Sequence, residues 1–482
     1  MSILDVQPFP AAPVRACADP VAAAADAVIA AADPIGPLAA VVGAGLTVPL
    51  VSGGVARYAN LDYAASAPAL RAVADRVAEL LPLYASVHRG AGYASAVCTA
   101  AYEHARTVIG RFAGARDDDV LIFTRNTTDA LNLLAATVPA NSGGVVHLDI
   151  EHHANLLPWR RADGRVVRAG GTRAETVAAV DAELAAAPAA LLAVTGASNV
   201  TGECPPLAEL TALAHRRGAR IVVDGAQLVP HRPVSLASSG VDYLAFSGHK
   251  LYAPYGTGVL IGRPDWLDAA PPYLAGGGAV REVRLGRTEW AAAPARHEAG
   301  TPNVIGAVAL AAACQTVAAL GWDAVTAHER ALVSRLTAGL AKIDGVRTLR
   351  LWSSAPGAGG DGDRIGVVTF TVDGYPATLV AQYLSAEHGI GVRDGRFCAH
   401  PLLARFAADG VTADGAAVRA SLGLGSQADD VDRLLAALTS LRERGPAWNY
   451  AGATGGHEPD PDPRAFPGWL AATAGVAPAC EG

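Results

Sequence analysis

The chain has 482 residues and a formal net charge of −7, with 51% apolar and 17% charged residues. Such a length exceeds what one hydrophobic core sustains, so two domains are expected, and the apolar share excludes wholesale disorder. No Lys- or Arg-dense run offers a footprint for nucleic acid, and the longest uncharged apolar stretch near the N-terminus is shorter than the roughly 20 residues of a membrane-spanning helix; small-molecule chemistry in the cytoplasm is the expectation.

Residues 1–55 are an Ala-, Pro- and Val-rich extension with one helix expected at 19–32. From Tyr58 onward, apolar runs at 120–123, 145–150, 191–195, 221–223, 243–246 and 258–261 alternate with helix-length segments at 101–112, 129–137, 174–187 and 207–217. Alternation of this kind predicts an α/β fold, a mostly parallel sheet flanked by helices, and we assign it a large domain over 56–305. An Ala-rich helical region after Thr301-Pro302-Asn303 runs to about 343 and leads into a smaller α+β domain, 306–445. Its expected strands lie at 348–352 and 366–372, its helices at 377–388 and 429–443, with a short segment at 391–392. The Pro- and Gly-rich remainder, 446–482, reads as an irregular tail.

The polar clusters fall at the expected strand ends, where open α/β sheets bind ligands. Thr124-Arg125-Asn126-Thr127-Thr128-Asp129 opens a helix, and its hydroxyls and free N–H groups suit a phosphate or form a plain N-cap. Glu151-His152-His153-Ala154-Asn155 puts an imidazole where it can stack on a flat ring or carry a proton. Adjacent histidines on an extended chain point to opposite faces, which argues against joint metal chelation. Asp224-Gly225-Ala226-Gln227 ends a buried run, where a carboxylate needs a cation: a structural ion pair or the protonated nitrogen of a bound ring.

Ser247-Gly248-His249-Lys250 closes the next strand. Of 38 basic residues only two, Lys250 and Lys342, are lysines. An ammonium can lose its proton where a guanidinium cannot, so a lysine kept in an arginine-rich chain is a candidate for amine chemistry. In the smaller domain Arg393-Asp394-Gly395-Arg396-Phe397-Cys398-Ala399-His400 sets a thiol among cations, a setting that favours thiolate, although cysteine is often a small buried apolar residue. Arg419, in an apolar segment, needs an anion such as a substrate carboxylate. The six cysteines form no CxxC pair, so neither a disulfide framework nor a metal site is signalled.

In this order the segments resemble the fold-type I pyridoxal 5′-phosphate (PLP) enzymes called class V aminotransferases, and within them the group II cysteine desulfurases and selenocysteine lyases. The likeness covers about 58–444. It rests on Asn60-Leu61-Asp62-Tyr63-Ala64-Ala65-Ser66, Val87-His88-Arg89-Gly90, Glu151-His152-His153-Ala154-Asn155, Ser198-Asn199-Val200-Thr201-Gly202, Asp224-Gly225-Ala226-Gln227, Ser247-Gly248-His249-Lys250, Glu298-Ala299-Gly300-Thr301-Pro302-Asn303 and Arg393-x-Gly395-x-x-Cys398. The resemblance implies that Lys250 holds PLP as a Schiff base, Asp224 pairs with the ring nitrogen, Gln227 with the phenolic oxygen, and His152 stacks on the ring. Thr127, Thr128, Ser247 and His249 would hold the phosphate, with Thr301 reaching it from the second subunit of a homodimer. Asn199, Arg393 and Arg419 would face the substrate.

The activity implied is conversion of L-cysteine to L-alanine, with the sulfur left on Cys398 as a persulfide for a sulfur-acceptor protein. The chain departs from the resemblance where Arg396 and Phe397 replace the usual histidines before the cysteine, in a longer loop at 407–417, and after the glycines Gly276-Gly277-Gly278. Other class V reactions (C–S lyase on a cysteine conjugate, selenocysteine lyase, epimerase, aminotransferase) would need Lys250 without Cys398. A non-catalytic scaffold would need neither.

Overall fold

A computed structural model describes residues 35–352, 363–453 and 456–471; the helix expected at 19–32 lies outside them. Seven strands make the main sheet, in the spatial order Val120–Thr124, Gly258–Gly262, Tyr243–Ser247, Arg220–Asp224, Ala189–Thr195, Gly144–Leu148, Gly164–Val167. All run in one direction except Gly258–Gly262, which is antiparallel to both its neighbours. Its reversal follows from the short link after Ser247, since a parallel return needs a crossover of a dozen or more residues. Ala189–Thr195 is buried along its whole length, as a strand covered by helices on both faces must be. The mostly parallel sheet expected from the alternation is therefore present, with Gly164–Val167 as an edge strand that the apolar pattern did not mark.

One direction for six strands puts their carboxyl ends on one edge. Asp224 and Ser247 close their strands there, the turn before helix Thr127–Thr137 follows Thr124, and His152 follows Leu148. Gly258 begins the reversed strand at the same edge, opposite both Thr124 and Ser247. A Cβ on Gly258 would lie 2.7 Å from Asn126 backbone atoms and 2.8 Å from the Phe246 carbonyl oxygen, so glycine lets the helix-opening turn press against the strand.

The smaller sheet is antiparallel, in the order Val346–Thr348, Val367–Val372, Ala417–Ser421, Arg393–Gly395. The strand expected at 348–352 thus ends at Thr348, and the chain runs on as coil that buries Leu349, Leu351 and Trp352. Ala59–Asn60 pairs in parallel with Ile390–Gly391, and Asp62 bridges to Ser421, which threads an N-terminal segment into this domain. Among the described residues the core falls into four clusters, and the two largest part along similar lines. Helix Val304–Leu320 packs in the large cluster, whereas Leu332, Leu336 and Leu340 of helix Trp322–Leu340 pack with Phe370, Val380 and Leu434. Gly321 (φ 78°) breaks the expected long helix in two, and the change of cluster comes farther along, after Val325, which still packs in the large cluster.

The terminal segments are more ordered than expected. The hairpin Thr47–Pro49 with Val55–Arg57 lies in the extension, and Arg57 pairs with Asp429 and Asp430. Within the stretch expected to be irregular, Tyr450–Ala453 pairs with Gly456–Pro459. Glu387 holds the start of this hairpin, accepting from the Ala447 and Trp448 N–H groups and the Tyr450 hydroxyl. Glycine-bearing strands of four residues carry no legible period, so the tertiary partner decides them. Among the described residues no single helix is long and apolar enough to cross a membrane.

Candidate active site

At the carboxyl edge of the main sheet, facing the smaller sheet, lies a cavity of about 270 Å³. Its walls include Thr127, Thr128, His152, Asn199, Asp224, Gln227, Ser247, His249, Lys250, Arg393, Cys398 and Arg419. Twelve of the thirteen residues singled out in the sequence are thereby brought together. The thirteenth, Thr301, is exposed and lines a different cavity with Arg89 and Glu298, so one chain alone does not bring it to this site.

One end is built for an anion. The Thr127 N–H donates to Ser247 Oγ (2.7 Å), and the two hydroxyls lie 2.6 Å apart. Asn126 caps the 11-residue helix through the Asp129 N–H (2.9 Å) and leaves the helix start open toward the cavity. Helix N–H groups and hydroxyls at such a terminus favour a phosphate. His249, whose carbonyl accepts from Ala67 N–H (2.8 Å), is pushed down to about pH 4 by burial and by Lys250, so it is a neutral donor or acceptor here.

The centre holds the amine. Burial lowers the Lys250 pKa to about 8; Asp224 opposes the shift and Arg419 adds to it. Asp224 is buried and its carboxyl is raised, by desolvation first, against the Ala226 N–H (3.0 Å) and Lys250. His152 is held down to about 3 by burial and then by Lys250; its Nδ1 accepts from the Ala154 N–H (3.0 Å), which leaves a neutral ring with the proton on Nε2. Gln227 donates one amide hydrogen to the Ala64 carbonyl (2.9 Å) and keeps a second for the cavity. Behind His152 the buried Glu151 carboxyl, raised well above its usual value by desolvation, accepts from Asn155 Nδ2 (2.7 Å) and the Thr195 N–H (3.0 Å) and fixes the loop.

The far end carries the arginines and the thiol. Arg393 and Arg419 are register partners on neighbouring strands, and like charges placed opposite one another repel. Asp62 relieves this: it accepts from Arg419 Nη2 (3.1 Å), and both arginines oppose the rise that burial imposes on its carboxyl. Asp62 was not assigned a role from the sequence, although a buried arginine demands an acid. Arg419 Nη1 donates to the Asn199 carbonyl (3.0 Å), while Nε has no protein partner. Cys398 is exposed, whereas Cys98, Cys204 and Cys314 are buried. It sits with Phe397 in a turn where both residues have positive φ (52° and 53°), costly for non-glycine residues unless the surroundings impose it. They do: Asn199 Nδ2 donates to the Phe397 carbonyl (2.7 Å), and the His153 N–H to that of Cys398 (2.8 Å).

The sequence profile of the family described as Aminotransferase class-V matches residues 59–434. The chain belongs to this family. It is 40% identical over 395 residues to a cysteine desulfurase of Dickeya dadantii, covering 79% of this chain and 91% of that protein. A cysteine desulfurase of Salmonella agona is 37% identical over 398 residues, 80% of this chain and 93% of the relative. Among solved structures, the Escherichia coli cysteine desulfurase CsdA in its S-sulfonic acid form superposes with a TM-score of 0.68 at 34% identity, over 79% of this chain and 94% of that one. The apo cysteine desulfurase of Thermococcus onnurineus gives 0.72 at 31% identity, over 80% and 95%. The class V fold expected from the motifs is thus the family's own.

Proposed function

We infer that this chain is a PLP-dependent cysteine desulfurase, which converts L-cysteine to L-alanine and takes the sulfur onto Cys398 as a persulfide. The observation that carries the reading is that Lys250 and the exposed thiol of Cys398 wall one cavity. The residues present fit PLP. Asp224 is a buried carboxylate with only a backbone donor and an amine nearby, the setting a protonated ring nitrogen would complete. The helix start with Thr127, Thr128 and Ser247 matches the phosphate, and neutral His152 offers a flat face to the ring.

When bound, PLP supplies an electron sink that stabilises negative charge at the α-carbon of an amino acid. Arg419, with Nε unpartnered, and Arg393 bind the substrate carboxylate. Lys250, which would hold PLP, is easily neutral because its pKa lies near 8, and its Nζ takes the α-proton. The Cys398 thiolate then attacks the substrate sulfur: an S–S bond forms, the Cβ–S bond breaks, and its electron pair stays on Cβ, which takes up a proton on the way to alanine. Asn199 and the His153 N–H hold the turn that aims the thiol.

The same reading assigns the chain to a homodimer in which Thr301 reaches the partner's phosphate, to the cytoplasm, and to a protein sulfur acceptor. Exposed apolar groups such as Tyr93, Val283 and Leu285 support the dimer. Lyase, selenocysteine lyase, epimerase and aminotransferase chemistry leave the exposed Cys398 without a task. Cys398→Ala tests the choice: it is expected to keep the bound cofactor's absorbance and to stop release of alanine and sulfur from L-cysteine. Unaffected alanine release would exclude the desulfurase.

A further inference from the structure

In this chain the residue before Cys398 is a phenylalanine, and it joins two parts of the site. The Phe397 ring is buried and lies under the Arg419 guanidinium, 5.3 Å from Cζ to ring centroid. Its carbonyl accepts from Asn199 Nδ2 (2.7 Å), and the Asn199 carbonyl in turn accepts from Arg419 Nη1 (3.0 Å). Arg419, Asn199 and Phe397 therefore close a ring of contacts in which each touches the other two. The backbone of this ring continues directly into Cys398, through two residues held at positive φ. A guanidinium stacked on an aromatic face is fixed in its plane, and the ring it stacks on is fixed in return.

We propose that Phe397 is a positioning residue that couples Arg419 to the Cys398 turn, so that a carboxylate bound at Arg419 sets the position of the thiol. The proposal rests on the reading of Arg419 as the carboxylate anchor. The cavity side of the guanidinium takes the carboxylate. Asp62 and Asn199 keep the other edge, so the guanidinium has little freedom to turn except with Phe397. The turn that Asn199 and the His153 N–H already hold is then adjusted further when an amino acid is in place, so that the thiol of the free enzyme is less well aimed at other sulfur electrophiles.

The experiment uses the PLP-loaded enzyme and follows alkylation of Cys398 by iodoacetamide, read from the mass of its peptide, with and without saturating L-alanine. In the wild type, L-alanine is expected to change the rate by about fivefold or more, the low end of measured site-to-site couplings. Phe397→Tyr, which keeps the ring, should behave the same. Phe397→Leu should cut the change to less than about twofold and lower kcat about tenfold, with KM for L-cysteine within about threefold because Asp62 and Asn199 still hold Arg419. Should Phe397→Leu fail to take up PLP, Phe397→Met is measured in its place. Simple shielding of the thiol by L-alanine would give the same protection with or without the ring, and that result overturns the proposal. Arg419→Lys separates the two readings: it is expected to raise KM at least about tenfold. An unchanged KM removes the anchor itself, and the coupling with it.

Discussion

At the scale of single residues, the state of one amine governs the chemistry. Lys250 attacks an aldehyde only as the neutral amine, and burial has brought its pKa from 10.5 to about 8. Adding PLP to cofactor-free protein should therefore form the Schiff base at a rate that rises with pH and levels off, with its midpoint near 8. A midpoint at the ordinary lysine value would contradict the burial argument. Asp224→Asn should still bind PLP but lose about 10²-fold or more in alanine release, as expected when the carboxylate that would keep the ring nitrogen protonated, and so keep the ring an electron sink, is removed. The lysine was legible because the chain has so few of them. Asp62 was not, because its bond to Arg419 joins residues 357 positions apart and only the paired strands bring them together.

At the scale of elements, the site depends on a helix start pressed against a strand. Gly258→Ala puts a methyl group within 2.7 Å of Asn126 backbone atoms, contact that neither backbone can yield cheaply. It is expected to destabilise the protein by about 1–3 kcal/mol, as overpacking does, and to weaken PLP binding together with stability. Asn126→Ala removes the cap instead and should cost about 1 kcal/mol in a thermal or urea melt without blocking the cavity. Strands and helices of the main sheet were legible because buried parallel strands are continuous apolar runs. Their order, the reversal at Gly258–Gly262 and the tail hairpin were not, since these depend on which partner each strand meets.

At the scale of the whole molecule, the two largest apolar clusters are tied by a buried ionic group. Glu329, on Trp322–Leu340, accepts from His231 and Arg232, and Arg232 also reaches Asp363. Burial alone would raise the Glu329 carboxyl, but His231 and Arg232 outweigh it and hold it below 4.5. The stabilisation is thus present above the unfolded carboxyl's range and lost as pH falls through the lower folded value. Glu329→Ala takes the carboxylate partner from buried His231 and leaves Arg232 only Asp363 as an acid among the described residues, and should cost about 3–5 kcal/mol near neutrality. Melts of wild type and variant are expected to converge as pH falls through the lowered carboxyl value of the folded state; a constant difference would show that the carboxylate's charge is not what stabilises. The motif residues converge on one cavity, but this join between the cores has no sequence signature, because an acid on a helix is usually a solvated one.

On the proposed function Lys250 carries the cofactor, and a chain with two lysines makes this easy to test. Borohydride reduction of the PLP-loaded protein, followed by peptide mass mapping, is predicted to find the pyridoxyl group on Lys250 alone. The group on Lys342, or no fixed group on either lysine, would contradict it.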